Sequence, residues 1–228
     1  MTDREFGPEL FAFLRELKAN NDREWFNANK SRYEDDLLEP GLAFVEDFGL
    51  RLPDISPHLV ADARRQGGSV FRIYRDTRFA KDKTPYKTHA GIYFRHEQSK
   101  EVRAPGLYLH LEPRHVFAGG GIWHADPKTA HAIRRRIADD PDGWAEAKDG
   151  VELGSGESLK RVPPAFDKDH PHAEDLKRKD FAALRYFTQK EATTVGFLDR
   201  YEEACRSFTP LMRFLSRAVG VPYSPLDA

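Results

Sequence analysis

Apolar and polar positions recur along this chain with two different periods, and the change of period separates helical ends from a strand-rich middle. Near the start Leu10, Leu14 and Leu17 form one helical stripe behind Pro8, a residue favoured at the first position of a helix. Asn20 and Asn21 interrupt the stripe, and Asn21 with Glu24 three residues on predicts a newly capped helix. Phe26, Asn29, Tyr33 and Leu37 carry that helix to Pro40, where an end or a kink is expected. Leu42, Val45, Phe48 and Leu52 then resume the period. Residues 53–69, with their prolines and Gly67-Gly68, read as a connector.

A period of two begins at Val70. Residues 70–74 set Phe71 and Ile73 against Arg72 and Tyr74, and residues 90–95 read as a second strand. Leu107, Leu109 and Leu111 alternate with Tyr108, His110 and Glu112, and Pro113-Arg114 turns the chain back through Val116 and Phe117 as an antiparallel hairpin. The polar face of these strands is rich in Tyr, Arg and His and is expected to line a groove. Asp126-Pro127 predicts a capped helix with Ala130, Ile133 and Ile137 as its stripe, and residues 181–187 a further strand. Val195, Leu198, Glu202, Cys205, Phe208, Met212, Leu215 and Val219 predict a long last helix bent at Pro210. The fold expected is α+β: an antiparallel sheet of about five strands packed against N-terminal helices and a long bent C-terminal helix, as a single domain over residues 1–228.

Charge narrows the functions this fold can serve. Lys plus Arg number 36 against 37 for Asp plus Glu, so the whole surface lacks the basic excess of a protein that coats nucleic acid or an anionic membrane. Any anion recognition must be local. The single cysteine, Cys205, cannot form an internal disulfide, which points to a reducing compartment, and its place on an apolar stripe predicts a buried, inert thiol. Met1-Thr2-Asp3-Arg4-Glu5 has no apolar run behind a basic region, and no stretch approaches the ~20 apolar residues of a spanning helix. A soluble, cytoplasmic protein without a membrane partner is expected.

The densest chemical signal runs from Phe71 to His89. It carries Arg72, Arg75, Arg78, Lys81, Lys83 and Lys87 against only Asp76 and Asp82. Guanidinium forks suit bidentate contact with phosphate or carboxylate, and ammonium groups add point charge. Tyr74, Phe79 and Tyr86 anchor the run. The candidate ligand-binding residues are therefore Arg72, Tyr74, Arg75, Asp76, Arg78, Lys81, Lys83, Tyr86 and Lys87, with Asp76 orienting the arginines and the tyrosines shaping the wall. Cations on both sides make Asp76 a poor base near neutrality.

This segment is also where the chain resembles a known family. The resemblance rests on Asn20-Asn21-Asp22-Arg23-Glu24-Trp25-Phe26, on Arg75-Asp76-Thr77-Arg78-Phe79 with Lys81-Asp82-Lys83 and Pro85-Tyr86-Lys87, on Gly119-Gly120-Gly121-Ile122-Trp123, and on Phe166-Asp167-Lys168-Asp169-His170-Pro171. These stretches are similar to conserved hypothetical proteins grouped as domain of unknown function 2461. The family has no established activity, so the resemblance implies no catalytic role for any residue.

Other motifs weigh less. Gly119-Gly120-Gly121 lacks the spacing of a phosphate loop and reads as a glycine bulge that lets Trp123 pack. His110 and Glu112 share a strand face, with His115, His124 and Asp126 close in sequence, but no zinc-type spacing is present and neither a metal nor a cofactor is expected. Lys160-Arg161 and Lys177-Arg178-Lys179 surround Lys168, Asp169 and His170, read as solvated surface or as a second wall of the groove. No serine stands in a nucleophile elbow. The leading expectation is a binder of an anionic small molecule, phosphate or carboxylate, with no reaction assigned. Its rivals are a nucleic-acid-associated module that stacks bases on Trp123 or tyrosines, and an interaction scaffold whose basic loop is neutralised by acids such as Asp22, Glu24 or Asp35.

Overall fold

The computed structural model describes residues 5–224; the start of the chain that was read for a leader lies largely outside them. Pro8 opens α1 (Pro8–Ala19), whose Leu10, Phe11, Phe13, Leu14 and Leu17 are buried. The next start differs from expectation by one residue. Asp22 caps α2 (Arg23–Ala28), its carboxylate accepting from the Trp25 N–H at 2.9 Å. Asn21 is drawn away because its amide meets another segment. α3 (Lys30–Tyr33) passes through one π-turn at Glu34–Leu38 into α4 (Glu39–Gly49). That wider turn lies immediately before Pro40, whose ring and missing N–H disturb the i−4 bond there.

The middle of the chain forms one six-stranded sheet. Its strands are β1 (Leu59–Val60), β2 (Ala90–His96), β3 (Gly106–Glu112) and β4 (His115–Ile122), followed by β5 (Glu152–Leu153) and β6 (Phe181–Phe187). They run in the order β1-β2-β3-β4-β6-β5, every neighbour antiparallel. Register sets Ile92 opposite Leu109, Leu109 opposite Ala118, and Gly120 opposite Ala183, so one face is continuously apolar. Phe48 of α4 meets Phe94 of β2 at 4.8 Å between ring centroids, one contact in an aromatic core that also holds Phe44 and Tyr201.

The expected strand over 70–74 is not formed as one. Val70 bridges Ile92 and Tyr74 bridges Tyr86, but between them only Val70 and Ile73 are buried while Phe71, Arg72 and Tyr74 are exposed. This stretch has two partners instead of one, so it twists from the edge of β2 into a hairpin with residues 85–87. The glycines of β4 also differ from the reading as a bulge that seats Trp123. They lie in the middle of the sheet, where a side chain on Gly120 would stand 2.6 Å from the Phe208 ring, and Trp123 is left 49% exposed.

Helices α5 (Pro127–Asp139) and α6 (Pro141–Ala147) each begin behind an aspartate cap, and α7 (Ala173–Leu176) and α8 (Gln189–Ala192) are single turns. The single bent helix expected at the end is two, α9 (Phe197–Ser207) and α10 (Thr209–Val219), with Pro210 in the first turn of the second. Proline suits that position and cannot continue the helix before it. Val195 precedes α9 and is exposed. Among the described residues no helix is long and apolar enough to cross a membrane.

Candidate anion cleft

The apolar sheet face is spent on the core, which leaves its other face to Tyr93, Tyr108, His110, Glu112, His115, Phe117 and Tyr186, as a period of two requires. At one end of this face, residues 73–89 meet the junction of α1 and α2. Two hydrogen bonds join them: Asn21 Nδ2 donates to the Tyr86 carbonyl and the Tyr86 N–H donates to Asn21 Oδ1, each at 3.0 Å. The Tyr86 ring stacks on Phe26 with centroids 4.0 Å apart.

Between these walls lies a cleft of about 370 Å³, lined by Lys18, Asn21, Arg75, Asp82, Thr84, Tyr86, Lys87, Thr88 and His89. Three cations therefore share the lining with one carboxylate. A smaller recess of about 250 Å³ beside α4 is lined chiefly by apolar side chains, with Glu46 as its only ionisable group. The larger cleft is the one that gathers several charged side chains.

Arg75 is held in place by its own loop. Its Nη1 donates to Asp82 Oδ2 at 2.6 Å, to the Thr84 carbonyl at 3.2 Å and to the Thr84 hydroxyl. Asp82 is held at a pKa of about 2, first by the Thr84 N–H and then by Arg75. Lys87 is different. Its Nζ donates to the Arg72 carbonyl at 2.9 Å and lies 5.3 Å from the centre of the Phe71 ring. Among the described residues no carboxylate comes within ion-pair reach of it. Burial, with the nearby Arg72 charge, lowers its pKa, as it must for an ammonium group without a counter-ion. His89 is pushed the same way by burial and then by Lys87.

The nine residues expected to bind therefore divide. Arg75, Tyr86 and Lys87 line the cleft, and Arg72 lies outside its lining but close enough to act on Lys87. Tyr74 packs on Tyr86 from outside, with centroids 5.5 Å apart. Asp76 does not orient several arginines. It pairs with Arg78 alone, at 2.7 Å, and that hydrogen bond is the main cause of its lowered pKa. Lys83 donates to the Thr77 carbonyl at 2.9 Å, so Arg78, Lys81 and Lys83 belong to the outer hairpin, whose Phe79 is 95% exposed. None of the ion pairs formed by the segment reaches Asp22, Glu24 or Asp35.

Lys18, Asn21, Thr84, Thr88 and His89 were not among the expected ligands. Thr84, Thr88 and His89 stood inside the basic run, whereas Lys18 carried no local signal. The region of Lys168, Asp169 and His170 is not a wall of this cleft. Its neighbourhood is α5 and α6, where Phe166 meets His131 and His172 meets the Pro141 carbonyl at 3.0 Å.

Deeper on the same sheet face, His89 stacks on His110 with centroids 4.6 Å apart, and the Tyr108 hydroxyl lies 3.0 Å from His110 Nδ1. Burial, aided by His89, holds the His110 pKa down to about 4, and burial lifts that of Tyr108 to about 12. Cys205, buried under the other face, has its thiol pKa raised by desolvation and takes no part.

The profile of a family described as conserved hypothetical protein (DUF2461) matches residues 9–214. No curated protein and no solved structure matches the chain.

Proposed function

The chain belongs to this family of conserved hypothetical proteins, and we propose that it binds a small phosphate- or carboxylate-bearing molecule in the cleft between α1 and residues 75–89. The observation that carries this reading is Lys87, an ammonium group partly withdrawn from water with no carboxylate among the described residues to answer it. Desolvating a charge is costly unless something of opposite sign compensates, and an anion in the cleft supplies that. Arg75, fixed by Asp82 and Thr84, is pre-organised to share the load, and the Thr88 side chain adds a neutral hydroxyl to the lining.

Two of the segment's six cations are neutralised from within, Arg78 by Asp76 and Arg75 by Asp82, which supports the scaffold reading in part; Lys87 is the cleft cation that neither acid answers. A thermal-shift screen of inorganic phosphate, phosphorylated metabolites and carboxylates tests the proposal, with short oligonucleotides alongside. A ligand at a hundredfold excess over its Kd stabilises by ~2.7 kcal/mol, or ~5–10 °C for a chain of this size. Lys87→Met, which keeps the apolar stem, is expected to cut the shift to about half or less; an equal shift in that variant would refute the reading.

A further inference from the structure

On the sheet's outer face β3 and β4 gather a constellation separate from the cleft lining. Their register places Glu112 directly opposite His115, and His110 stands two residues before Glu112 on the same face. Ligand atoms of His110, Glu112 and His115 all lie within 4.8 Å of one another. The two nitrogens of His110 face different groups: Nδ1 lies 3.0 Å from the Tyr108 hydroxyl and Nε2 lies 3.5 Å from Glu112 Oε2. The ring is fixed between His89 at 4.6 Å and Phe117 at 4.8 Å. His124 and Asp126, close by in sequence, are not members: His124 pairs with Asp180 and Asp126 caps α5.

We propose that His110, Glu112 and His115 form a binding site for a divalent transition-metal ion, zinc being the ion their donors suit best. Two imidazoles and one carboxylate make an N2O set of the kind that holds zinc with a position left for water or substrate. A hydrogen-bonding group on the far nitrogen of a ligating imidazole fixes its orientation, and the Tyr108 hydroxyl is placed to do this for His110. The His110–Glu112 separation is long for a hydrogen bond, so the two are close without satisfying one another. The expectation of no metal rested on local spacing, and this site is assembled by register across a hairpin. It does not depend on the anion reading, although Glu112 Oε1 lies 3.5 Å from Lys18 Nζ, which borders the cleft.

The test is Co2+ titration of the full, tag-free chain in phosphate-free buffer, followed by visible absorption and by displacement with Zn2+. One equivalent with ligand-field bands is expected. His115→Ala, a change at an exposed side chain, should weaken binding by about tenfold or more, as should Glu112→Gln. His131→Ala, an exposed histidine elsewhere, controls for adventitious binding and should titrate as the parent does. Absence of a saturable equivalent, or parent-like titration of both His115→Ala and Glu112→Gln, would overturn the proposal. Because phosphate is excluded, neither outcome depends on the anion cleft.

Discussion

Asn21 and Tyr86, 65 positions apart in the chain, satisfy each other's polar groups through two hydrogen bonds of 3.0 Å. One side chain thus acts as a strand neighbour for the backbone of the hairpin that carries Arg75 and Lys87. The contact joins two of the stretches on which the family resemblance rests, and it explains why an asparagine stands where the helix cap was expected. The cap went to Asp22.

Removing that clamp should loosen the cleft before it unfolds the protein. Asn21→Ala leaves the Tyr86 N–H and C=O to partial solvation, a loss of about 1–2 kcal/mol. Urea denaturation should register it, with a fall in Tm of about 2–8 °C. The anion-dependent thermal shift should weaken in the same variant.

Asp175 supports the opposite side of the molecule and sets a pH dependence. Its buried carboxylate accepts from Trp144 Nε1 at 2.8 Å, Lys148 Nζ at 2.7 Å and Arg178 Nε at 2.9 Å. Desolvation opposes its ionisation, but these three donors prevail and lower its pKa. A carboxyl with a folded pKa below its unfolded one adds stability above the unfolded value, near 3.9, and loses it as the pH falls through the folded value. Asp175→Asn should cost about 2–3 kcal/mol at neutral pH, and the difference from the parent should narrow in acid below about pH 4.

At Gly120 the sheet closely approaches the α9–α10 junction. A methyl group there would stand 2.6–2.9 Å from the Phe208 ring and Cβ, so the α9–α10 junction would have to move. Gly120→Ala is expected to destabilise by about 1–3 kcal/mol despite the better strand propensity of alanine. Chemical denaturation of purified variants checks this.

Cys205 should be silent towards thiol reagents in the native state. It is fully buried and desolvation keeps it protonated, and the thiolate is the reactive form. Ellman's reagent should label it only after denaturation, and rapid labelling of the folded protein would contradict the packing of α9.

Much of the architecture was legible because it rests on strict periodicity. Leu107, Leu109 and Leu111 against Tyr108, His110 and Glu112 stated both the strand and its two faces, and the hairpin at Pro113-Arg114 followed. Residues 70–74 were misread because their alternation is genuine in sequence while two different partners divide the backbone. The break at Phe208 was masked by an apolar stripe that continues across it. Of the candidate site, the basic run announced itself by charge, but which cations face inward depends on the twist of the hairpin. Lys18 enters through packing of α1. The His110–Glu112–His115 group was passed over because it was compared with helical and zinc-finger spacings, although the turn at Pro113-Arg114 itself sets Glu112 opposite His115.

The central claim is that Lys87 and Arg75 form one anion site, distinct from the diffuse charge of the hairpin tip. Calorimetric titration of inorganic phosphate into the parent, Lys87→Met and Lys81→Met tests it directly, since both variants remove one positive charge and only the first alters the cleft. The account predicts a single site in the parent, unchanged in Lys81→Met and weakened by about tenfold or more in Lys87→Met, a difference of at least ~1.4 kcal/mol. Equal weakening in both variants, or no saturable heat in the parent, would contradict it.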